Sequence, residues 1–218
     1  LDFGYFFSTF SERMTGQNSK RFDLSGGDLA LDFVNTLGGR TNDPKERLAN
    51  YDALLFFAEE TKTLPRGRIG ALLEQSVRTP GLAVTVLQEA IALRGALFEI
   101  FSAVAERRVV PDKALSKLNW NLMEGASFVR LTQQGRRFEW DWSVSNQRLN
   151  AMLWPVARAA ADLLTSEDLS KLRMCAADDC AWLFLDTTRN RKRRWCDMKT
   201  CGNRDKARRY YERVREGD

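Results

Sequence analysis

Apolar residues recur along most of this chain at the three- and four-residue steps of helices, and once at the two-residue step of strands. Over 28–37, Ala30, Phe33, Val34 and Leu37 follow helical spacing, while Leu29, Leu31 and Phe33 follow strand spacing. A helix is favoured, because Asp28 can cap it and Gly38-Gly39 can end it. Asn50 or Asp52 can cap a helix carrying Leu54, Leu55, Phe57 and Ala58, and a short helix is expected over 66–76. The strongest helical signal is 84–106, with Leu87, Ile91, Arg94, Phe98, Phe101 and Ala105 as the expected buried stripe. Pro111-Asp112 starts another helix to about Trp120. The period then drops to two: Phe128, Arg130 and Thr132 alternate with Val129 and Leu131, Gln133-Gln134-Gly135 turns, and Phe138, Trp140 and Trp142 alternate on the return. This predicts a β-hairpin whose aromatic stripe is core. A helix from about Gln147 to Leu164 follows, with Pro155 kinking it or starting its main part.

The resulting fold class is α+β: a mainly helical N-terminal domain with one β-hairpin over 21–165, preceded by an extension over 1–20. A small C-terminal module occupies 171–218. The chain has 218 residues, 44% apolar and 29% charged, which suits one full core plus an appendage. No run approaches the roughly 18 to 20 apolar residues of a membrane helix. Leu1 to Phe10 lacks the layout of a signal peptide. Both features point to the cytoplasm and to no membrane partner. Histidine is absent, which removes the commonest general base near neutral pH and the commonest nitrogen ligand for metals. No nucleophile or phosphate-loop signature stands out either, so an enzyme is not expected.

Cysteine changes the picture at the C-terminal end. The only four, Cys175, Cys180, Cys196 and Cys201, fall in the order Cys-x4-Cys, fifteen residues, Cys-x4-Cys. In a reducing compartment this spacing reads as one structural, tetrahedral zinc ion per chain rather than as disulfides. Ala181 to Leu185 reads as a strand, Asp186 to Asn190 as a turn, Arg193 to Trp195 as the return strand, and Asn203 to Arg215 as a helix. Knuckle, hairpin and helix in that order make a treble-clef-like module. A segment this short has too small a core to stand alone, and zinc binding can supply the deficit, on the order of 10 kcal/mol in small finger peptides.

Charge points the same way. The net +5 sits almost entirely in this module: Lys171 to Asp218 carries 14 bases and 8 acids, and the preceding 170 residues are close to neutral. Between Thr187 and Arg215 twelve bases face Asp197, Asp205 and Glu212 alone. A zinc tetrathiolate, formally −2, would absorb two or three of these cations, and the surplus asks for an external polyanion. Arginine predominates, and its planar fork suits phosphates and guanine edges. Arg189, Arg191, Lys192, Arg193, Arg194, Arg204, Lys206, Arg208 and Arg209 are the candidate nucleic-acid contacts. Ala207, Tyr210, Tyr211 and Val214 form an apolar stripe on the last helix that should pack on the finger's hairpin.

The run from Cys175 to Asn190, with Arg193-Arg194-Trp195-Cys196, Met198 and Cys201-Gly202-Asn203-Arg204, closely resembles the CGNR-type zinc finger. Upstream, Leu31-Asp32-Phe33-Val34-Asn35-Thr36 resembles the signature of the ABATE domain that usually precedes that finger. The resemblance implies a bacterial, stress-linked transcription regulator. Its finger would hold double-stranded DNA, and its N-terminal domain would sense a small-molecule effector or form a homodimer. Rival readings are an RNA-binding module using the same basic finger, a zinc module for protein contact, and an N-terminal domain that is itself a ligand-binding or enzymatic unit. Within that domain Asp32 and Asn35 share a helix face, and Arg94 interrupts the apolar stripe of the longest helix. A buried charge is costly unless paired. Asp32 and Arg94 are therefore expected to meet as an ion pair completed by Asn35, either as a structural cluster or as the lining of an effector pocket.

Overall fold

In the computed structural model, residues 22–142 and 148–216 are described; the extension over 1–20 and the expected helix start at Gln147 lie outside them. Seven α-helices occur among the described residues: α1 Leu29–Val34, α2 Tyr51–Glu60, α3 Arg66–Arg78, α4 Pro80–Ala105, α5 Asp112–Ala126, α6 Leu153–Leu164 and α7 Asn203–Glu216. Three two-stranded antiparallel sheets join them: β1 Leu37–Gly38 with β2 Lys45–Glu46, β3 Arg130–Gln134 with β4 Arg137–Asp141, and β5 Leu172–Met174 with β6 Leu183–Leu185. The Asp28 carboxylate accepts from Ala30 N at 2.8 Å and the Asn50 side chain from Ala53 N at 2.9 Å, so both capped helices start where the sequence places their caps. Helix α1 stops at Asn35 rather than at the glycines, because Leu37-Gly38 leaves to pair with Lys45-Glu46.

Helix α4 is the centre of the domain, packed by α1, α2, α3, α5 and β5. Neighbours on several sides bury a wider face than one stripe. Ala83, Val86, Ala90, Leu93, Leu97 and Ile100 are buried, while Ile91, expected inside, is 37% exposed. This 26-residue helix is long and apolar enough to pass for a membrane span by composition. Its buried face belongs to the main core, and Arg94 on it pairs with Glu46. Helices α5 and α6 approach closely at Gly125, where a Cβ would lie 2.8 Å from the Trp154 Cβ. The Trp154 ring stacks on Phe128 at 4.8 Å.

The β3–β4 hairpin forms as its period predicts, with Gln134 opposite Arg137. Its aromatic stripe is not core: Phe138 is 63% and Trp140 49% exposed. Alternation marks a pleated ribbon, but burial needs a second layer, and this ribbon instead stands across a cavity of about 840 Å³ from the α2–α3 loop. Arg158 covers one face of the Trp140 ring.

Sequence spacing separates a first domain from a finger, whereas the structure joins them through one core. Leu172, Leu183 and Leu185, from the two strands of the C-terminal hairpin, pack in the same cluster as Phe33, Leu93 and Leu97. The Asn35 carboxamide makes both hydrogen bonds of a strand neighbour to buried Leu183, donating to its O at 2.8 Å and accepting from its N at 3.1 Å. Leu185 N donates to Gly26 O at 2.9 Å, and Thr41 Oγ1 to Asp178 O at 2.5 Å. Asn35→Ala would strand both Leu183 backbone groups away from water, at about 1–3 kcal/mol for each unsatisfied group. Urea denaturation should show the variant less stable by about 2–6 kcal/mol, with the finger and the helical domain still unfolding in one transition.

Candidate metal centre and nucleic-acid interface

The first cysteine pair sits on the loop of the β5–β6 hairpin. Cys175 N donates to Trp182 O at 2.8 Å, closing the ladder, and Cys180 N to Ala177 O at 3.1 Å, forming the knuckle. The expected return strand over 193–195 is absent. Leu183–Leu185 pairs with Leu172–Met174 instead, and the 193–195 segment is held by Ala176 N donating to Arg194 O at 2.8 Å and by Arg193 N donating to Asp186 Oδ2 at 2.9 Å. The reason is the hydrophobic core: β6 is buried on both sides, and its free edge is taken by Gly26 and Asn35. Asp186 then organises the loop. It is fully buried, and its carboxylate accepts from Thr188 N at 3.0 Å, Thr188 Oγ1 at 2.5 Å and Arg193 N at 2.9 Å. Burial pushes its acidity towards the neutral form, but these donors outweigh that and hold it below the usual carboxylate range. An Asp opening a turn is the sequence signal for this role.

The second pair straddles the start of a wide π turn, Met198–Gly202, which is capped by Asp197, whose Oδ1 accepts from Thr200 N at 2.7 Å. Cys201 lies in this turn immediately before α7. All four cysteines are buried and their sulfurs lie within 4.8 Å of one another. Cys180 and Cys196 Sγ are 3.7 Å apart, Cys196 and Cys201 Sγ 3.6 Å. Tetrahedral zinc thiolate sites, with bonds of about 2.3 Å, require sulfur separations of about 3.8 Å. The donor set therefore fits one zinc ion. By themselves the thiols do not share charge evenly. Hydrogen bonding within the cluster pulls Cys175 down from the ordinary thiol range and pushes Cys180 and Cys196 up. A divalent cation is what lets all four ionise together.

Around this centre the candidate cations divide into two groups. Arg193 lies 4.5 Å from the Phe184 ring centroid and donates to Trp195 O at 2.9 Å and to Cys196 O. Arg204 donates to Cys201 Sγ at 3.3 Å and pairs with Asp179 at 3.1 Å. Arg208 pairs with Asp178 and, at 3.0 Å, with Asp205; Arg209 also pairs with Asp205, which is 8% exposed. These four hold the finger together. Arg189, Arg191, Lys192 and Arg194 on the loop, and Lys206 on α7, are exposed. The stripe expected to pack on the hairpin does not: Tyr210, Tyr211 and Val214 are 59%, 69% and 49% exposed. Helix α7 packs chiefly on the turn that precedes it. The acids Asp178 and Asp179 were the residues missed, because charge counting along the chain cannot see which arginines they neutralise.

The N-terminal cluster does not assemble as expected. Arg94, 3% exposed, pairs bidentately with Glu46 at 2.6 and 2.5 Å and reaches Thr36 Oγ1 at 3.1 Å. Asp32 accepts from Gly26 N at 2.8 Å, and Asn35 is committed to Leu183. The three side chains serve separate partners; β2, which brings Glu46 to Arg94, was not legible. Burial, with the nearby Asp28 and Asp23 charges, pushes Asp32 up to about 7 against the Gly26 bond. The folded state thus keeps a proton that the unfolded chain has lost, and stability should fall as pH rises from about 4 through 7. Asp32→Asn, which keeps an acceptor for Gly26, should flatten this part of a stability–pH profile.

The family model for ABATE, described as "Putative stress-induced transcription regulator", matches residues 27–167, and the model for the CGNR zinc finger matches residues 171–214. No curated protein matches the chain. The four cysteines are thus the ligands of one structural zinc. Purified protein should contain about one zinc per chain, and Cys196→Ser should lose it. Because Leu183 and Leu185 belong to the main core, that loss should also lower the melting temperature of the helical domain. Metal analysis alongside thermal unfolding followed by helical circular dichroism checks both.

Proposed function

This chain belongs to the ABATE family and ends in a CGNR zinc finger, and from that membership we propose that it is a bacterial, cytoplasmic transcription regulator that binds double-stranded DNA through the finger. The observation that carries this reading is the exposed group of cations beside the metal site. Arg189, Arg191, Lys192 and Arg194 on one loop, and Lys206, Arg213 and Arg215 on α7, stand in solvent while the neighbouring arginines are neutralised within the finger. Internal compensation of the thiolates uses Arg204, so the outer group is surplus to folding. Arginine and lysine in such density suit phosphate oxygens.

The protein works by binding rather than catalysis. Its N-terminal domain supplies the sensing or dimerising part. An effector site in that domain is better supported at the cavity under the β3–β4 hairpin than around Asp32 and Arg94. That cavity is lined by Glu59, Arg68 and Trp140 among others, and its 840 Å³ is the size of small-molecule sites.

Duplex affinity should fall steeply with salt. If about five phosphates are contacted, log affinity against log salt should have a slope of about −4 to −5. Arg191→Ala should weaken all duplex sequences alike. Competition between duplex DNA and single-stranded RNA, read by fluorescence anisotropy, decides between the two nucleic acids. Preference for RNA, or binding insensitive to salt, overturns the reading.

A further inference from the structure

Helix α7 carries its cations on two opposite faces, and the structure treats the two faces differently. Positions 204, 208, 211 and 215 follow one helical stripe; positions 206, 209, 210 and 213 follow the other, at i, i+3, i+4 and i+7. On the first stripe Arg204 and Arg208 reach down to Asp179 and Asp178 of the knuckle, and Arg204 reaches the Cys201 sulfur. These contacts clamp the helix to the metal centre and take those guanidinium groups out of use. The second stripe looks away from the knuckle. Lys206, Arg209, Tyr210, Glu212 and Arg213 line a shallow surface groove; Glu212 lies 4.0 Å from Arg208, and Lys206 and Arg213 have no acid paired with them among the described residues.

We infer that the outward stripe of α7, Lys206, Tyr210 and Arg213, is the face that enters the major groove of duplex DNA and sets sequence preference, whereas Arg204, Arg208 and Arg209 hold the helix in position. The inference rests on the DNA-binding reading above and assigns it a side. Three observations favour a duplex groove as the occupant. The 14-residue helix is about 21 Å long, and a helix of ordinary diameter fits a groove about 12 Å wide. Beyond its second turn the helix leaves the rest of the protein, and every residue from Lys206 to Arg215 is exposed, so both flanks of its far part can be enclosed. Its charge complements phosphate: Lys206, Arg209, Arg213 and Arg215 face only Glu212 over that length. The exposed Tyr210 gives the stripe an apolar body with a hydroxyl tip, which suits a groove floor carrying thymine methyls and base-edge acceptors. The basic loop at Arg189, Arg191, Lys192 and Arg194 then meets phosphates and carries no sequence information.

The test uses the full, zinc-loaded chain. A preferred duplex is first obtained by selection from random sequence, and affinities are then measured for that duplex and for an unrelated one. Arg213→Ala and Tyr210→Ala should each weaken the preferred site about tenfold, change the unrelated duplex by no more than two- to threefold, and relax the selected base at a defined position. Arg191→Ala should weaken both duplexes equally. Arg204→Ala should lower zinc retention and weaken both. If the parent protein binds duplex DNA with a preference but Lys206→Ala, Tyr210→Ala and Arg213→Ala leave that preference intact, this face is the wrong one and the DNA-binding reading survives. If Arg208→Ala, with zinc retained, changes base preference instead, the assignment of the two stripes is reversed. If the parent binds no duplex, or if the outward stripe matters only for single-stranded RNA or an acidic protein, the inference falls together with the reading it rests on.

Discussion

Leu183 is a buried strand residue whose outer edge has no strand beside it; the side chain of Asn35 takes that place. A carboxamide has the donor and acceptor of a peptide group in the same relative geometry, so one residue can end a strand ladder without leaving buried groups unpaired. Much of the molecule depends on this substitution. It fixes β6, and β6 fixes the hairpin whose loop carries Cys175 and Cys180. Helix α1, which presents Asn35, is itself set by the Asp28 cap and by the burial of Phe33 and Val34 against Phe57 and its neighbours. A motif in the first domain is thereby part of the architecture of the metal site.

This arrangement constrains how signals could travel. A finger on a flexible linker would respond to an effector by changing its orientation. Here the hairpin is a portion of the helical core, and Thr41 and Trp182 add contacts near the knuckle. The part with freedom is the far end of α7, which is tied to the body at its first two turns only. Metal occupancy and the stability of the helical domain are consequently linked, because any free energy zinc contributes to β6 is felt across the same core.

Electrostatics follows a similar division between inside and outside. Three buried charges have an assigned counter-charge or donor set: Arg94 has Glu46, Asp186 has Thr188 and Arg193 N, and Asp205 has Arg208 and Arg209. What remains is an exposed cationic loop and an outward helix face. The number of bases in the module overstates what it offers to a partner, because four of the nine candidate contacts already serve the finger.

Much of this was legible in the chain. Helix periods, the Asp28 and Asn50 caps, the β3–β4 hairpin and the zinc ligands all depend on neighbours a few residues apart, and local spacing encodes them directly. The cysteines are the extreme case: four thiols in 27 residues have a single divalent solution in a reducing compartment, whatever the fold around them. The partners of Arg94 and Asn35 depended on pairings 48 and 148 residues apart, which no period records. The burial of a strand's aromatic face was also out of reach, since Phe138 and Trp140 alternate as a core stripe does but have no second layer above them. Local physics named the elements and the metal; the closure of one core over both family segments decided which strand β6 would join, which arginines would be consumed, and which face of α7 would be left to solvent.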